Sequence, residues 1–419
     1  MSEASRREFL EMLAASAALP LVRRAHDLRF RETPRGARPL RIRTITAGIG
    51  LSSAGDRGRV ESAIAVLERG RKLLESEGYE VQTVRVATSP FMAEADDRAR
   101  DKALTSLQGL DGLASARSAL LAIGSVLTAD RPAPHLAAWA AELLRTTKNL
   151  SFTVRVASSE GGAAPHAATA AAETMEAVAR ATPNGLGNFR FAAAANVPPG
   201  TPFFPVAYHQ GPDSIAVGLE SASLVEEAAA DGSGGARLRE RLDEALAPVA
   251  RTAAEFARRE GRAYLGIDPS PAPAKDRSIG AAIEAMTGVP FGSASTLEAC
   301  ATITAALKSL RAQTCGYAGL MLPVLEDPVL AKRAGEGRYG VQDLLLYSSV
   351  CGTGLDVVPL PGDTPVEVLA RIIRDVATLS ARLRKPLSAR LFPVLGKAAG
   401  EMARFDDPHL TDSVVMAVR

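Results

Sequence analysis

The sequence predicts an α/β protein, and three observations predict it. Strand-like and helix-like segments alternate along most of the chain. The helix-like segments carry apolar residues at helical spacing. Over 419 residues, 47% are hydrophobic and 23% charged, enough for one large or two medium cores.

The elements follow in order. Leu40–Gly48 alternates apolar and polar residues, as a half-buried strand does. Asp56–Gly78 places Val60, Ala63, Ile64, Val66, Leu67, Leu73 and Leu74 on one helical face. Tyr79–Ala87 reads as the next strand, helices are expected across 95–127 and 135–147, and Leu150–Ala157 reads as a strand. An alanine-rich helix (165–182) leads to Phe189–Asn196. Phe203–His209 and Ser214–Glu220, joined by Gln210-Gly211-Pro212-Asp213, suggest a hairpin or two neighbouring strands. Gly232-Ser233-Gly234-Gly235 is a flexible break before a helix carrying Leu238, Leu242, Leu246, Val249 and Phe256, which Pro248 should bend. A strand at Ala263–Ile267 and helices near 278–287 and 295–310 come next. Beyond them lie Cys315–Leu322, a helix at 341–350, a strand at 355–359, a helix at 364–382 and a strand at 387–392.

The formal net charge of +2 gives no footprint for nucleic acid, although residues 1–43 hold ten arginines against five acids. Three cysteines do not make a disulfide scaffold, and no run approaches eighteen apolar residues, so no membrane span is expected. Ser5-Arg6-Arg7-Glu8-Phe9-Leu10, followed by a short apolar run, fits a twin-arginine export signal. Residues 1–38 are therefore read as that signal or as a disordered basic arm, and 39–419 as one domain. Export would place the protein in the periplasm or outside the cell; otherwise it is cytoplasmic.

The densest chemistry lies in Cys351-Gly352-Thr353-Gly354, with Asp356 beside it. Two closely spaced glycines let a backbone turn sharply and approach a ligand. A reactive thiolate needs a cation, a metal or a helix amino terminus, whereas Cys351 follows the carboxy end of a helix, so a buried structural cysteine competes with a nucleophile. His209, Glu220 and Asp268 each end a strand-like segment, where α/β proteins place polar chemistry. Together they could hold a divalent metal, though their spacing matches no established motif. Arg390 alternates with apolar residues on a buried strand and needs an anionic partner, either one of these acids or a substrate carboxylate.

Several strings then carry a resemblance: Ile42-Arg43-Thr44-Ile45-Thr46-Ala47-Gly48-Ile49, Pro202-Phe203-Phe204-Pro205-Val206-Ala207-Tyr208-His209, Gly218-Leu219-Glu220-Ser221-Ala222 and Ser278-Ile279-Gly280-Ala281-Ala282-Ile283-Glu284. Cys315-Gly316-Tyr317-Ala318-Gly319-Leu320-Met321-Leu322-Pro323-Val324, the cysteine turn and Arg390-Leu391-Phe392-Pro393-Val394 complete the set. From about Arg41 onward the chain resembles a family of uncharacterised bacterial and archaeal proteins often encoded beside a small ACT-domain protein. That family is similar in fold to glycyl radical enzymes such as pyruvate formate-lyase. The resemblance implies a barrel of about ten strands in two antiparallel halves, wrapped by helices, and an ACT-domain protein as partner.

The cysteine turn resembles the inner finger loop of those enzymes, but residues 401–419 contain no glycine to carry a radical. The expectation is a non-radical enzyme acting on a small carboxylate-bearing metabolite, in a homo-oligomer. Cys351, His209 and Glu220 or Asp268 would do the chemistry, and Arg390, Gly352, Thr353, Gly354 and Asp356 would bind substrate. A non-catalytic metabolite-binding or regulatory protein is the alternative, and a catalytically empty assembly component the third reading.

Overall fold

The computed structural model describes residues 40–230 and 235–418; the arm expected at 1–38 lies outside them. Its centre is a ten-stranded sheet. Five parallel strands form the middle: β1 (Arg41–Ile49), β2 (Val81–Thr88), β3 (Ala119–Leu127), β4 (Leu150–Ser158) and β6 (Phe191–Ala195). The short β5 (Gly162–Ala163) hangs on β4. On one flank β7 (Ser214–Glu220) runs antiparallel to β1 and parallel to β8 (Ala263–Asp268). On the other, β10 (Leu387–Val394) runs antiparallel to β6 and parallel to β9 (Gly354–Pro361). The order is β8-β7-β1-β2-β3-β4-β6-β10-β9.

The sheet is strongly curled. The backbone N–H of Tyr317 donates to Asp268 at the end of β8 (2.8 Å), while its hydroxyl donates to Ser388 on β10 (2.9 Å). Those strands are seven steps apart in the ladder, which on a flat sheet would be about 34 Å. One residue spans them only because the sheet bends back on itself. Both edge strands also reach toward the segment 313–324: Ile267 on β8 bridges Thr314 and Asp356 on β9 bridges Pro323, each in parallel sense.

Alternation sorts the two faces. On β1, Ile42, Ile45, Ala47 and Ile49 point outward into the main apolar core, a bulge between Ile42 and Thr44 resetting the register. Val84 and Val86 do the same on β2, under helix α1 (Arg57–Ser76). Helices α2 (Asp97–Ala116), α3 (Leu136–Thr146) and α4 (Pro165–Ala181) cover β3 and β4; α5 (Ala222–Ala230) leads into α6 (Gly235–Arg259), which covers β7 and β8 and continues through Pro248. The second half adds α7 (Ile279–Thr287), α8 (Thr296–Lys308), α9 (Pro328–Gly335), α10 (Val341–Ser348) and α11 (Val366–Leu383), the last lying over β4, β6 and β10.

The concave face instead carries small residues on its central strands, and they leave room for a threaded chain. Thr201–His209 crosses this face. Phe203 packs with Ala272 and Met321, Val206 with Ala192 and Tyr317, and Ala207 with Ala87 and Ala122. A Cβ on Gly218 would press on the Phe203 ring, and one on Gly48 would collide with His209.

Two expectations are corrected. The helix expected across 95–127 is α2 followed by β3, because the run Ala119–Leu127 is apolar on both faces, as a central parallel strand must be. Phe203–His209 is no strand; it is the threaded segment, and Ser214–Glu220 pairs with β1 and β8 instead. Strands at Leu40–Gly48, Tyr79–Ala87, Leu150–Ala157 and 387–392 agree with the structure to within two residues at each end.

Candidate functional site: a charged interior opening on a basic basin

The concave face carries a chain of ion pairs. Arg390 on β10 donates to Asp356 on β9 (2.5 Å) and to Glu326 (2.8 Å), with its guanidinium 5.1 Å from the centre of the Phe189 ring. Glu326 also meets Arg43 of β1 at 3.5 Å, and Arg43 lies 3.8 Å from Glu220. Glu220 is fully buried and accepts from Arg41 (2.9 Å) and from the Gln82 side chain. Burial opposes the charge on Arg390, but Asp356 and Glu326 outweigh it and raise its pKa.

Arg85 on β2 stands out within this group. It is 3% exposed, its guanidinium is 5.5 Å from the Phe204 ring centre, and it donates to the carbonyl of Pro202. Its Nε has no partner, and among the described residues no carboxylate faces it. Burial, with repulsion from Arg43 and Arg390, pushes its pKa down to about 9. Arg85 lines a basin of about 560 Å³ at the amino-terminal ends of the central strands. Arg43, Arg145, Lys148 and Arg190 add positive charge there against one carboxylate, Asp407, while Leu144, Leu186, Phe189 and Phe204 supply apolar walls. Arg190 is held by Thr147 (2.9 Å) and by the carbonyls of Leu144 and Leu150, and burial pushes its pKa down to about 10.

The sequence-selected residues scatter over this frame. Cys351 is fully buried within the main apolar cluster, its N–H bonded to Tyr347 O (2.7 Å). Lys385 donates to the carbonyls of Ser348 (2.9 Å), Ser349 (3.3 Å) and Cys351, capping the carboxy end of α10. The glycines of the turn serve close approach within the chain: a Cβ on Gly352 would strike the Gly319 backbone, and one on Gly354 (φ 93°) the Ser388 backbone. Thr353 is buried, and its hydroxyl oxygen has no partner.

His209 bonds Gly211 O through Nε2 (2.9 Å) and Ser214 through Nδ1 (3.2 Å), and burial lowers its pKa. Ser214 opens β7 and Glu220 closes it, so His209 and Glu220 lie about 20 Å apart along the strand. Asp268 accepts from Ser270, Tyr317 and Ala318, and burial still pushes its pKa up to about 6. His209, Glu220 and Asp268 therefore form no ligand set; among the described residues, no group of three His, Cys, Asp or Glu could hold a metal. Only Arg390 and Asp356 of the expected set meet directly, with Glu220 linked to them through Arg43 and Glu326.

Sequence reasoning missed Arg43, Arg85, Glu326 and Tyr317. The signal that singled out Arg390, an arginine alternating with apolar residues on a strand, was equally present in Arg41-Ile42-Arg43 and in Val84-Arg85-Val86.

Fold and interior define an α/β protein whose curled sheet of ten strands carries a threaded segment and a belt of buried ion pairs on its concave face. The chain belongs to the family described as Uncharacterised ACR (DUF711), whose model matches residues 36–406. It is 32% identical over 352 residues to a UPF0210 protein of Pyrobaculum arsenaticum, covering 79% of this chain and 77% of that relative. A UPF0210 protein of Desulforudis audaxviator is 29% identical over 400 residues, covering 87% of this chain and 88% of the relative. Among the described residues, no helix is long and apolar enough to cross a membrane.

Proposed function

We propose that this protein binds a small carboxylate-bearing metabolite in the basin before Arg85, inside a sheet that the segment 313–324 closes into a barrel. One observation carries the binding: Arg85 is a buried guanidinium without an internal anion. A buried charge costs several kcal/mol unless it is paired, and the guanidinium fork matches a carboxylate. The bridges from Ile267 to Thr314 and from Asp356 to Pro323 support closure. Cys351, His209 and Asp268 share no cavity with Arg85, which favours a binding or regulatory role over turnover.

Thermal unfolding with phenylacetate tests the site, its ring suiting the walls formed by Phe189 and Phe204. At one hundred times the dissociation constant, the wild type should gain about 2.7 kcal/mol. Arg85→Met should melt at or above the ligand-free wild type and ignore phenylacetate. An Arg85→Met variant that keeps the full response, or that unfolds several degrees lower, overturns the reading.

The twin-arginine stretch carries a separate proposal, export of the folded protein. Fractionation should find the wild type outside the cytoplasm and Arg6→Lys/Arg7→Lys inside it. Identical distributions overturn export.

A further inference from the structure

On the other side of the threaded segment lies a second cavity of about 740 Å³. It sits over the carboxy-terminal ends of the five parallel strands, where open α/β sheets receive ligands. Its lining differs from that of the basin. Ser125 and Thr153 pair at 2.8 Å, and the Tyr208 hydroxyl donates to Val197 O at 2.9 Å. Burial pushes the Tyr208 pKa up to about 12, and because its proton is given to Val197 O the hydroxyl offers a ligand its oxygen as an acceptor. Positive charge comes from Arg155, two of whose donors hold Thr128 O (2.6 and 3.1 Å), and from Arg384, against one carboxylate in the lining, Glu94, which accepts from the Thr128 hydroxyl (3.0 Å).

Backbone outliers gather at the same cavity. Asn196 has φ 51° and Arg384 has φ 52°. Arg384 closes α11 in the left-handed conformation, where glycine or asparagine is usual and a Cβ crowds the backbone. An exposed arginine held there at the rim of a cavity puts a cation where glycine would serve the helix better.

We infer that this cavity is a second ligand site, for a hydroxyl-rich oxyanion of monosaccharide size. Ser125, Thr153 and Tyr208 meet its hydroxyls, and Arg155 and Arg384 meet its anionic group. The volume lies within the 300–1,000 Å³ range of small-molecule sites. The ligand's charge comes from a carboxylate or a phosphate, and the probes distinguish them.

The test is calorimetric titration of the full chain with gluconate and glucose 6-phosphate, with glucose and inorganic phosphate as controls. At least one charged sugar should bind tenfold or more tightly than either control, and the tighter of the two identifies the anionic group. Arg384→Gly should melt at or above the wild type yet bind that sugar about tenfold more weakly; Arg155→Gln should weaken it similarly. Arg85→Met should bind it unchanged, which separates this site from the basin. The inference fails if neither sugar binds better than the controls, or if Arg384→Gly binds as tightly as wild type. It also fails if Arg85→Met is the variant that loses binding, since the sugar would then sit in the basin.

Discussion

Arg390 and Arg85 lie close enough in one interior to repel each other, yet the protein treats them oppositely. Arg390 is answered twice, by Asp356 and by Glu326, and the pair of acids holds it charged. Arg85 is answered by a carbonyl and an aromatic face, and burial pulls its pKa down. The first is part of the structure's own cement; the second faces a cavity that an anion can enter. Burial alone therefore does not mark a binding residue. What marks it is burial without an internal counter-charge.

The largest effect that can break this comparison is expected at Arg390. Arg390→Met leaves Asp356 and Glu326 buried without their main cation and should cost 3–5 kcal/mol, roughly the loss seen when one partner of a buried pair is removed. Urea unfolding reads it. Adding Asp356→Asn and Glu326→Gln should recover most of that loss. If Arg390→Met and Arg85→Met proved equally costly, the distinction between the two arginines would collapse.

Asp268 sharpens the same contrast from the acid side. Its folded pKa of about 6 lies above the unfolded value of 3.8, so the folded state holds the proton more tightly. Its stabilising contribution is complete below pH 4 and is lost as the pH rises through about 6. The stability margin of wild type over Asp268→Asn should therefore shrink by up to about 3 kcal/mol between pH 4 and pH 6. A margin that widens over this window contradicts the assignment.

The smallest effect belongs to Arg43, which joins both regions through long contacts of 3.5 and 3.8 Å and is partly exposed. Arg43→Met should cost about 1 kcal/mol, as a weak, partly screened ion pair does. The same variant should also reduce phenylacetate affinity, because Arg43 lines the basin. Unchanged affinity would confine Arg43 to the structural belt.

Much of the sheet was legible because β4 alternates throughout between an apolar core face and a mostly polar inner face, and β1 and β2 do so from Ile45 and from Val84 onward. β3 was not, because a strand buried on both faces loses the alternation that distinguishes it from a helix. The string Phe203–His209 looked like a strand because its apolar side chains are buried; they are buried on the inner face of a sheet that it does not join. The site was legible in part. Arg390 announced its need for an anion, but only the fold shows that Asp356 and Glu326 fill it. The glycines at 352 and 354 announced a close approach, and what approaches is Gly319 and Ser388 of the same chain. Long-range pairing of this kind leaves no local pattern to read.

The most direct measurement is a crystal structure of the protein soaked with 4-bromophenylacetate, the bromine located by anomalous scattering. The account predicts a bromine peak between the Phe189, Phe204 and Leu186 side chains, with the carboxylate on the Arg85 guanidinium. A basin free of bromine at saturating ligand, or a carboxylate held elsewhere with Arg85 untouched, would contradict it.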